Sequence, residues 1–363
     1  MERGVRMNDV LPFCNEQLRK ISSDEFLPEL LEAVKYISIF ETKIEDSRLE
    51  KCVYLPKMEI NEIVSSLRIE GTHTKIEDYY QGELFPEEKS VELTEFKNYT
   101  SALKKGTRLV KYEGFTNEVI KDIHKMMFSN VKNIKAGITI GDYKKVNNYI
   151  ARANIRVYSP PKVEETQEYM NDLMNFINDD SLIIHPLVKC AVIYAQFESI
   201  HPFEDGNGRI GRILIPIYLC YAGLIGAPLF YISEAIEDDK YLYYNSLTET
   251  RTGNYNLWIK FFLQKCTIQA KKHIKFIQNI DELYKKITQQ VEQITNSVLT
   301  PKLVRVIFEN PIITSKKMAE SLNLSITQAN RYLRALEEER ILYTNERKRN
   351  ISYYFTELLS LIC

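Results

Sequence analysis

Apolar residues recur every three or four positions over most of this chain, which is the spacing of helices with one buried face. Residues 57–70 show this spacing most clearly and end at Gly71, a residue typical of helix ends. The same spacing predicts helices near residues 30–37, 87–105, 116–129, 163–178, 186–199, 238–250 and 257–298. Residues 73–85 lack the pattern and are predicted to form a loop. The predicted fold class is therefore mainly α.

Two segments depart from this pattern. Residues 137–161 are rich in β-forming side chains and end at Pro160 and Pro161, so a short β-hairpin is predicted there. Residues 213–233 contain no charged residue and are long enough to span a bilayer, but Pro216 and three further Gly or Pro residues interrupt them. We expect a buried core helix there and no membrane span.

Composition limits the class of protein. With 363 residues, 44% of them hydrophobic and 27% charged, the chain is predicted to be globular and to hold two or three domains. The net charge of −1 gives no overall attraction to nucleic acid or to an anionic membrane. The six cysteines are scattered without a C-x-x-C pair, which favours reduced thiols in a cytoplasmic protein over disulfides or a zinc site. The first residues lack the apolar stretch of a signal peptide.

Candidate chemistry concentrates in residues 200–212, read as I-H-P-F-E-D-G-N-G-R-I-G-R. Glycines let backbone N–H groups surround an anion, and arginines bind phosphate oxygens. Asp205 can hold Mg²⁺, which prefers carboxylate and phosphate oxygens. His201 is the one group in the stretch that ordinarily titrates near neutral pH, so it is the candidate general base. The stretch is predicted to bind a phosphate group and to act on it.

The run from His201 to Arg212 resembles the H-P-F-x-[DE]-G-N-G-R-x-x-R motif of Fic (Fido) domain proteins. The resemblance extends from about residue 57 to the segment around Trp258. It implies a Fic helical bundle, with the motif in a loop between two buried helices and a β-hairpin flap beside the loop. It also implies transfer of AMP from ATP to a hydroxyl side chain of a target protein.

The resemblance implies a role for each residue of the motif. His201 would deprotonate the target hydroxyl, Asp205 would hold Mg²⁺ against the phosphates of ATP, and Phe203 would point inward as an anchor. The glycines and Asn207 would form an anion hole, and the arginines would hold the outer phosphates. The nucleotide-binding residues implied in the loop are Gly206, Asn207, Gly208, Arg209, Ile210, Gly211 and Arg212.

Residues 141–150, read as G-D-Y-K-K-V-N-N-Y-I, are similar to the hairpin flap of the family. The flap would touch the nucleotide and order a target peptide by strand addition. Lys144 stands where the family has arginine, and a solvated hairpin face and a target contact are both open for it. The flap residues implied are Asn148, Tyr149, Ile150 and Ala151, the last of which replaces a glycine.

Three residues farther along fall where the family contacts adenine and ribose: Tyr243, Tyr244 and Arg251. Aromatic rings there can stack on a base. Ordinary helix packing is the alternative for the tyrosines, because the chain contains 23 of them.

Residues 66–71, read as S-L-R-I-E-G, resemble the [ST]-x-x-x-E-[GN] inhibitory helix of Fic proteins, placed before the core as in class II. The inhibitory residues implied are Ser66, Glu70 and Gly71. A Glu70 carboxylate that reached Arg212 would occupy the guanidinium that otherwise holds the γ-phosphate. We therefore expect an enzyme that largely inhibits itself, although a glutamate near a helix end is usually just a solvated charge.

From residue 299 onward the chain is similar to a winged helix-turn-helix, with helices predicted at 302–309, 315–322 and 327–339 and a hairpin at 341–355. The predicted turn of the hairpin carries Arg347, Lys348 and Arg349. This unit holds ten Lys or Arg against seven Asp or Glu, and three glutamates at 337–339 close the third helix. Because DNA would meet that acidic end poorly, the sequence favours a protein-contact or positioning role over DNA binding.

Together these patterns divide the chain into an N-terminal helical region with the inhibitory helix (1–115), a Fic core (116–265), a connecting helix (266–298) and a winged-helix domain (299–363). The predicted function is that of an ATP- and Mg²⁺-dependent protein adenylyltransferase whose target protein docks on the flap. The alternatives are removal of AMP, transfer from another nucleotide donor, and a transcriptional regulator that senses nucleotide. A homodimer is compatible with the resemblance.

Overall fold

In the computed structural model, the described residues are 11, 13–14, 18, 21–46, 51–72, 75–84, 91–131, 138–152, 155–295, 298–344 and 351–362. Its helices are α1 (Leu27–Asp46), α2 (Lys51–Ile69), α3 (Ile76–Leu84), α4 (Val91–Glu113), α5 (Asn117–Met127), α6 (Val163–Asn178), α7 (Pro186–Ile200), α8 (Asn207–Tyr221), α9 (Ser233–Glu237), α10 (Lys240–Thr250), α11 (Asn256–Thr295), α12 (Thr300–Glu309), α13 (Ser315–Leu322), α14 (Ile326–Glu338) and α15 (Thr356–Ile362). Its strands are β1 (Ile150–Arg152), β2 (Ile155–Tyr158), β3 (Ile312–Thr314), β4 (Tyr343–Thr344) and β5 (Ser352–Tyr354). The predicted mainly α class is confirmed.

The chain forms two compact units, each built from several stretches of sequence. The first contains Met1–Ser38, Ser65–His73 and Thr94–Ala270, and the second contains Ile39–Val64, Thr74–Leu93 and Lys271–Cys363. The long helix α11 belongs to the first unit up to Ala270 and to the second from Lys271. The four domain limits read from the sequence stay a prediction.

The first unit is centred on α7, which packs against α6 and α8. Its residues from Leu187 to Ile200 are all buried, so this helix has no solvated face. Pro186 occupies the first helical turn, where its missing N–H is not needed, and the His185 side chain accepts a hydrogen bond from Leu187 N–H. The Trp258 indole of α11 donates to the Ala191 carbonyl at 2.7 Å. The apolar run 186–199 is thus a core helix that ends directly at the phosphate-binding motif.

The uncharged segment 213–233 is a buried helix only in its first part. α8 continues through Pro216 but ends at Tyr221, and a turn follows with Gly223 at a φ of 71°. Residues 222–232 form no helix. In the part of the chain that the structure describes, no helix is long and apolar enough to cross a membrane.

The second unit contains the winged helix-turn-helix. Helix α13 packs against both α12 and α14, and a three-stranded sheet has the order β3-β5-β4. Thr314 and Ser325 cap α13 and α14 with their hydroxyl groups. The strand β3 and the last helix α15 were not predicted. The basic residues Arg347, Lys348 and Arg349 lie outside the described residues.

The loop prediction for residues 73–85 is wrong, because Ile76–Leu84 forms the helix α3. The Asp78 carboxylate accepts a hydrogen bond from Lys75 N–H at the start of this helix, and Ile76 and Tyr80, one turn apart, are buried. The helix predicted to begin at residue 57 starts earlier, at Lys51, and passes through Pro56.

The hairpin prediction was too wide. Among the described residues of this segment, 150–152 and 155–158 pair as strands, while residues before them bind the phosphate loop instead. The backbone N–H groups of Thr139 and Lys145 donate to the Glu204 carboxylate, and Lys144 N–H donates to the Pro202 carbonyl. Because these N–H groups are already bonded, they are not available to a partner strand.

Candidate active site

The phosphate loop leaves α7 at His201, whose backbone lies in the left-handed region with a φ of 49°. The loop turns again at Gly206, where φ is 81° and an added Cβ would come within 2.8 Å of the Phe128 ring. Glycine adopts that conformation without strain. Asn207 closes the loop, because its side chain accepts from Phe203 N–H at 2.9 Å and donates to the Phe203 carbonyl at 2.8 Å. These contacts hold the loop in one conformation.

The first turn of α8 forms an anion cradle, which we define as Gly206, Asn207, Gly208 and Arg212. The helix begins without a side-chain cap, so its first N–H groups can bind an anion. A Cβ at Gly208 would overlap Glu70 Oε1 and lie 3.0 Å from Arg212 Nη1. Glycine therefore provides the room that a ligand or the Glu70 side chain occupies.

Arg212 is 1% exposed and binds the end of α2. Its Nη2 donates to Glu70 Oε1 at 2.6 Å, and its Nε donates to Ser66 Oγ at 2.8 Å. Desolvation would raise the pKa of the Glu70 carboxyl, but Arg212, with Arg209 and His201, lowers it. Arg212 Nη1 is buried and has no hydrogen bond to any described residue. One donor in the cradle thus remains for a further ligand.

The end of α2 is held in place by α10. Lys240 Nζ donates to the Arg68 carbonyl at 2.5 Å, and the Tyr244 hydroxyl donates to the Ile69 carbonyl at 3.2 Å. Gly71, with a φ of 93°, turns the chain away directly after Glu70. These contacts keep the Glu70 side chain over the cradle.

Asp205 lies at the open side of the loop, with its side chain 40% exposed. Its Oδ1 accepts from Gly206 N–H at 2.6 Å and lies 3.6 Å from Arg209 Nη2. Arg209 also contacts Glu95 at 3.3 Å. The described residues contain no cluster of three or more His, Cys, Asp or Glu side chains for a metal. A single carboxylate suits Mg²⁺ when phosphate oxygens and water complete its shell, so Asp205 fits an ion carried by a nucleotide.

His201 is poised as a neutral base. Its Nδ1 lies 3.3 Å from the Glu198 carbonyl, and a carbonyl only accepts, so the proton is on Nδ1 and the lone pair on Nε2. Burial, together with the charge on Lys144, lowers the pKa of His201 to about 4. The ring is therefore uncharged at neutral pH, and its Nε2 can accept a proton.

The flap residues ahead of the strands bind the loop. Lys144 is 2% exposed, and its Nζ donates to Asn148 Oδ1 at 2.9 Å and to the carbonyls of Ile200 and His201 at 3.3 and 3.1 Å. The Asn148 amide donates to the carbonyls of His201 and Phe203 at 3.1 and 2.9 Å. The prediction of a solvated Lys144 is therefore wrong, because its charged amino group donates hydrogen bonds to carbonyl oxygens of the loop instead of to water.

The flap is exposed to solvent at and just before strand β1. Tyr149 is 61% exposed, Ala151 is exposed and Ile150 is half-buried. Among the described residues β1 pairs only with β2, so its other edge can accept another strand. Target docking at this edge stays a prediction.

The three residues predicted to touch adenine and ribose occupy different environments. Tyr243 is 2% exposed and its hydroxyl is hydrogen-bonded to that of Tyr194 at 2.8 Å. The Arg251 guanidinium lies 4.0 Å from the centre of the Tyr158 ring and is also buried. Tyr244 is half-buried and binds the end of α2. Their contact with a nucleotide stays a prediction.

Sequence reasoning missed two buried residues beside the loop. His124 Nε2 bonds to the Asp205 carbonyl at 3.1 Å and its Nδ1 accepts from Gly141 N–H at 3.0 Å. Burial lowers the pKa of His124 to about 4. The second residue is Glu198, on the buried helix α7. His124 and Glu198 each place a polar side chain on an otherwise apolar helix surface, and this pattern is the sequence signal that could have identified them.

Glu198 lies against the second turn of α8. A Cβ at Gly211 would be 2.6 Å from Glu198 Oε1, so the glycine makes room for the carboxyl group. Burial raises the pKa of Glu198 to about 7, although Arg212 acts in the opposite direction. Ile210 is fully buried. The side chain of Ile210 thus belongs to the core that supports the cradle.

A helical core that presents such a loop beside a hairpin is the fold of a Fic domain, and residues 114–219 match the Fic/DOC family. Residues 299–342 match the winged helix-turn-helix DNA-binding family. The chain therefore contains a Fic domain and a C-terminal winged helix-turn-helix domain.

The chain is similar to protein adenylyltransferases of animals. It is 26% identical over 162 residues to "Protein adenylyltransferase Fic" of Nematostella vectensis, which covers 44% of this chain and 34% of the relative. It is 24% identical over 156 residues to "Protein adenylyltransferase fic-1" of Caenorhabditis elegans, covering 43% and 28%. The matches thus span no more than 34% of these two relatives.

The fold is similar to that of a Fic family protein from Desulfovibrio desulfuricans G20. The two structures superpose with a TM-score of 0.60 at 19% identity, over 93% of this chain and 97% of that one. At this identity the similarity establishes the fold.

Proposed function

We propose that this chain is a protein adenylyltransferase that transfers AMP from ATP to a Ser, Thr or Tyr hydroxyl of a target protein. The observation that carries the proposal is the buried Arg212 Nη1, a cationic donor that has no hydrogen bond within the described residues and is available to a phosphate oxygen. Its neighbours are the capless start of α8 and a neutral His201. The named function of the two animal relatives supports the same reaction.

Each residue in the site has a part in this reaction. His201 Nε2 accepts the proton of the target hydroxyl, whose oxygen bonds to the α-phosphorus while the bond to the leaving pyrophosphate breaks. The N–H groups of the anion cradle and the Arg212 guanidinium bind phosphate oxygens. Asp205 would hold Mg²⁺, which supplies positive charge to the phosphates. The exposed edge of β1 would order the target peptide.

The same geometry supports self-inhibition. Glu70 holds the Arg212 guanidinium through one charge-assisted hydrogen bond, a type of contact worth roughly 1.5–3 kcal/mol. Because the Glu70 side chain is 43% exposed, solvent screening places the effect at the lower end of that range. Its release should therefore raise the rate at subsaturating ATP by about tenfold.

Labelled ATP tests the reaction and the inhibition together. We expect the Glu70→Gly form to label itself or proteins of a lysate about tenfold faster than the wild type, and the Glu70→Gly/His201→Ala form to show no labelling. UTP and GTP in parallel identify another donor, and incubation of the labelled product with wild type tests removal of AMP. Equal labelling by wild type and Glu70→Gly would contradict inhibition. No labelling with any donor would favour a nucleotide-sensing regulator.

We also propose DNA binding by the winged helix-turn-helix domain, which the acidic end of α14 had disfavoured. The exposed residues in the first half of this helix are Ile326, Thr327, Gln328 and Arg331, and Arg334 is exposed about one turn after Arg331. In such domains that half of the recognition helix faces the base edges. At the other end, Glu337 accepts a hydrogen bond from the Thr344 hydroxyl of β4 at 2.7 Å.

Salt dependence of DNA binding by the full chain tests this second function. Arg331→Ala and Arg334→Ala should each weaken binding to a mixed-sequence duplex, measured by fluorescence anisotropy, and a lost phosphate contact should reduce the slope against log salt by about 1. Lys302→Ala removes an equal charge from an exposed position on α12 and serves as the control. Equal binding by all four proteins, or none by wild type, would overturn the proposal.

We propose a cytoplasmic location, which the free thiols of the described cysteines Cys14, Cys190, Cys220 and Cys266 support. A homodimer stays a prediction.

A further inference from the structure

We propose that His124 is a positioning residue. From the last turn of α5, it holds the flap and the Asp205 end of the phosphate loop in fixed positions relative to each other. Its relevance to catalysis rests on the proposed adenylyl transfer, but the geometry stands without it. The sequence offered no role for this histidine, since it has no metal-ligand spacing to the other four.

Both ring nitrogens of His124 bind backbone groups of the site. Nδ1 lies 3.0 Å from Gly141 N and Nε2 lies 3.1 Å from the Asp205 carbonyl oxygen. A backbone N–H only donates and a carbonyl only accepts, so Nδ1 must be the acceptor and Nε2–H the donor. The neutral ring in that single tautomer satisfies both partners, and no other state of the ring does.

The His124 ring is also packed tightly between its neighbours. His124 is 0% exposed, and its ring stacks on that of Phe203 with centroids 3.9 Å apart and planes 10° apart. The Phe128 ring packs beside it at 4.8 Å. Because the ring is packed on both sides, the Gly141 N–H and the Asp205 carbonyl that bond to it are held in place as well.

The two segments that His124 bonds also pack closely against the same end of α5. A Cβ at Gly141 would lie 3.0 Å from Lys125 Cβ, and a Cβ at Gly206 would lie 2.8 Å from the Phe128 ring. Both glycines have positive φ values, of 75° and 81°. The backbone at Gly141 of the flap and at Gly206 of the loop therefore packs so closely against this end of α5 that a larger residue would not fit. His124 is hydrogen-bonded to both segments there.

Two substitutions separate the two bonds. In bond count from Cα, the Oδ1 of asparagine corresponds to the histidine Nδ1, and the Nε2 of glutamine corresponds to the histidine Nε2. His124→Asn should therefore keep an acceptor for Gly141 N–H and lose the Asp205 bond. His124→Gln should keep a donor for the Asp205 carbonyl and lose the Gly141 bond. Phe128→Leu is the packing control, because it loosens the same neighbourhood without removing either bond.

Amide hydrogen exchange, measured on the ligand-free full chain, tests the Gly141 bond and the Asp205 bond separately. We expect His124→Gln to speed exchange about tenfold in peptides covering 138–146 and not in those covering 203–211, and His124→Asn to give the reverse. Phe128→Leu should affect both regions alike. If both His124 variants follow the uniform pattern of Phe128→Leu, the histidine only fills space and the proposal is overturned. If a variant fails to fold, the other one still decides, because its two regions must differ.

Activity gives a second readout in the Glu70→Gly background. His124→Asn, which releases Asp205, should raise the Mg²⁺ concentration for half-maximal self-labelling about tenfold, whereas His124→Gln should leave it near that of the parent. Equal Mg²⁺ requirements in the two variants would contradict the positioning of Asp205. If no protein in the series labels itself, the proposed transferase function fails, and the exchange experiment still decides the role of His124.

Discussion

The carboxyl group of Glu198 should make the first unit less stable as the pH rises through neutrality. Its side chain is 6% exposed, and its Oε1 makes no hydrogen bond within the described residues. Burial raises the pKa of Glu198 to about 7, although Arg212 opposes this effect. Glu198→Gln removes the titrating group while keeping a side chain of nearly the same shape.

The sign follows from comparing the folded and unfolded chains. Between pH 4.5 and 7 the folded protein keeps the Glu198 proton that the unfolded chain has released. The stabilisation is fully present below the usual pKa and is lost as the pH rises through the folded value. Because one pKa unit corresponds to about 1.4 kcal/mol, the full loss is about 3 kcal/mol, and most of it falls between pH 5 and pH 8.

Urea unfolding followed by tryptophan fluorescence measures this loss directly. Trp258 is the one tryptophan of the chain, and it bonds to the Ala191 carbonyl on the helix that carries Glu198. From pH 5 to pH 8 the free energy of unfolding of wild type should fall by roughly 2–3 kcal/mol more than that of Glu198→Gln. Glu249→Gln, at an exposed position of α10, should behave as wild type. Equal falls in wild type and Glu198→Gln would refute the reasoning.

Two further predictions concern the cradle and the base. Gly208→Ala, made in the Glu70→Gly form, places a Cβ 3.0 Å from Arg212 Nη1 and should weaken ATP binding at least tenfold by calorimetry; unchanged affinity would mean that the anion binds elsewhere. Because burial and Lys144 lower the pKa of His201 to about 4, the imidazole is already neutral above pH 5. The kcat/KM for self-labelling by Glu70→Gly should therefore stay level from pH 8 to about pH 5, and a fall centred near 6.5 would contradict a desolvated base.

Much of the molecule was readable from local pattern. The spacing of apolar residues predicted the long helices, and the hydroxyl caps of α13 and α14 stand at Thr314 and Ser325, which begin those helices by a local bond. The motif at residues 200–212 and its match to a Fic domain were visible in the same way. These features depend on neighbours within a few positions, so the sequence by itself determined them.

What the sequence could not determine depends on residues far apart along the chain. Ser66 and Glu70 meet Arg212 across more than 140 positions. The family resemblance implied the Glu70 contact, but no local pattern requires it, because only the fold brings the end of α2 to α8. The segment before β1 could not be told from a strand, because its N–H groups bond to Glu204 and Pro202 and leave no ladder.

Burial is the second quantity that only the tertiary structure decides. The sequence left both a solvated face and a target contact open for Lys144 and gave His124 no role, yet both residues bind the loop from buried positions. The pKa of Glu198 rises because α7 is enclosed on every side, which no property of that helix alone would require. Residue types near residue 201 determined which chemistry is available; the enclosing helices decided which groups carry charge and which group Arg212 holds.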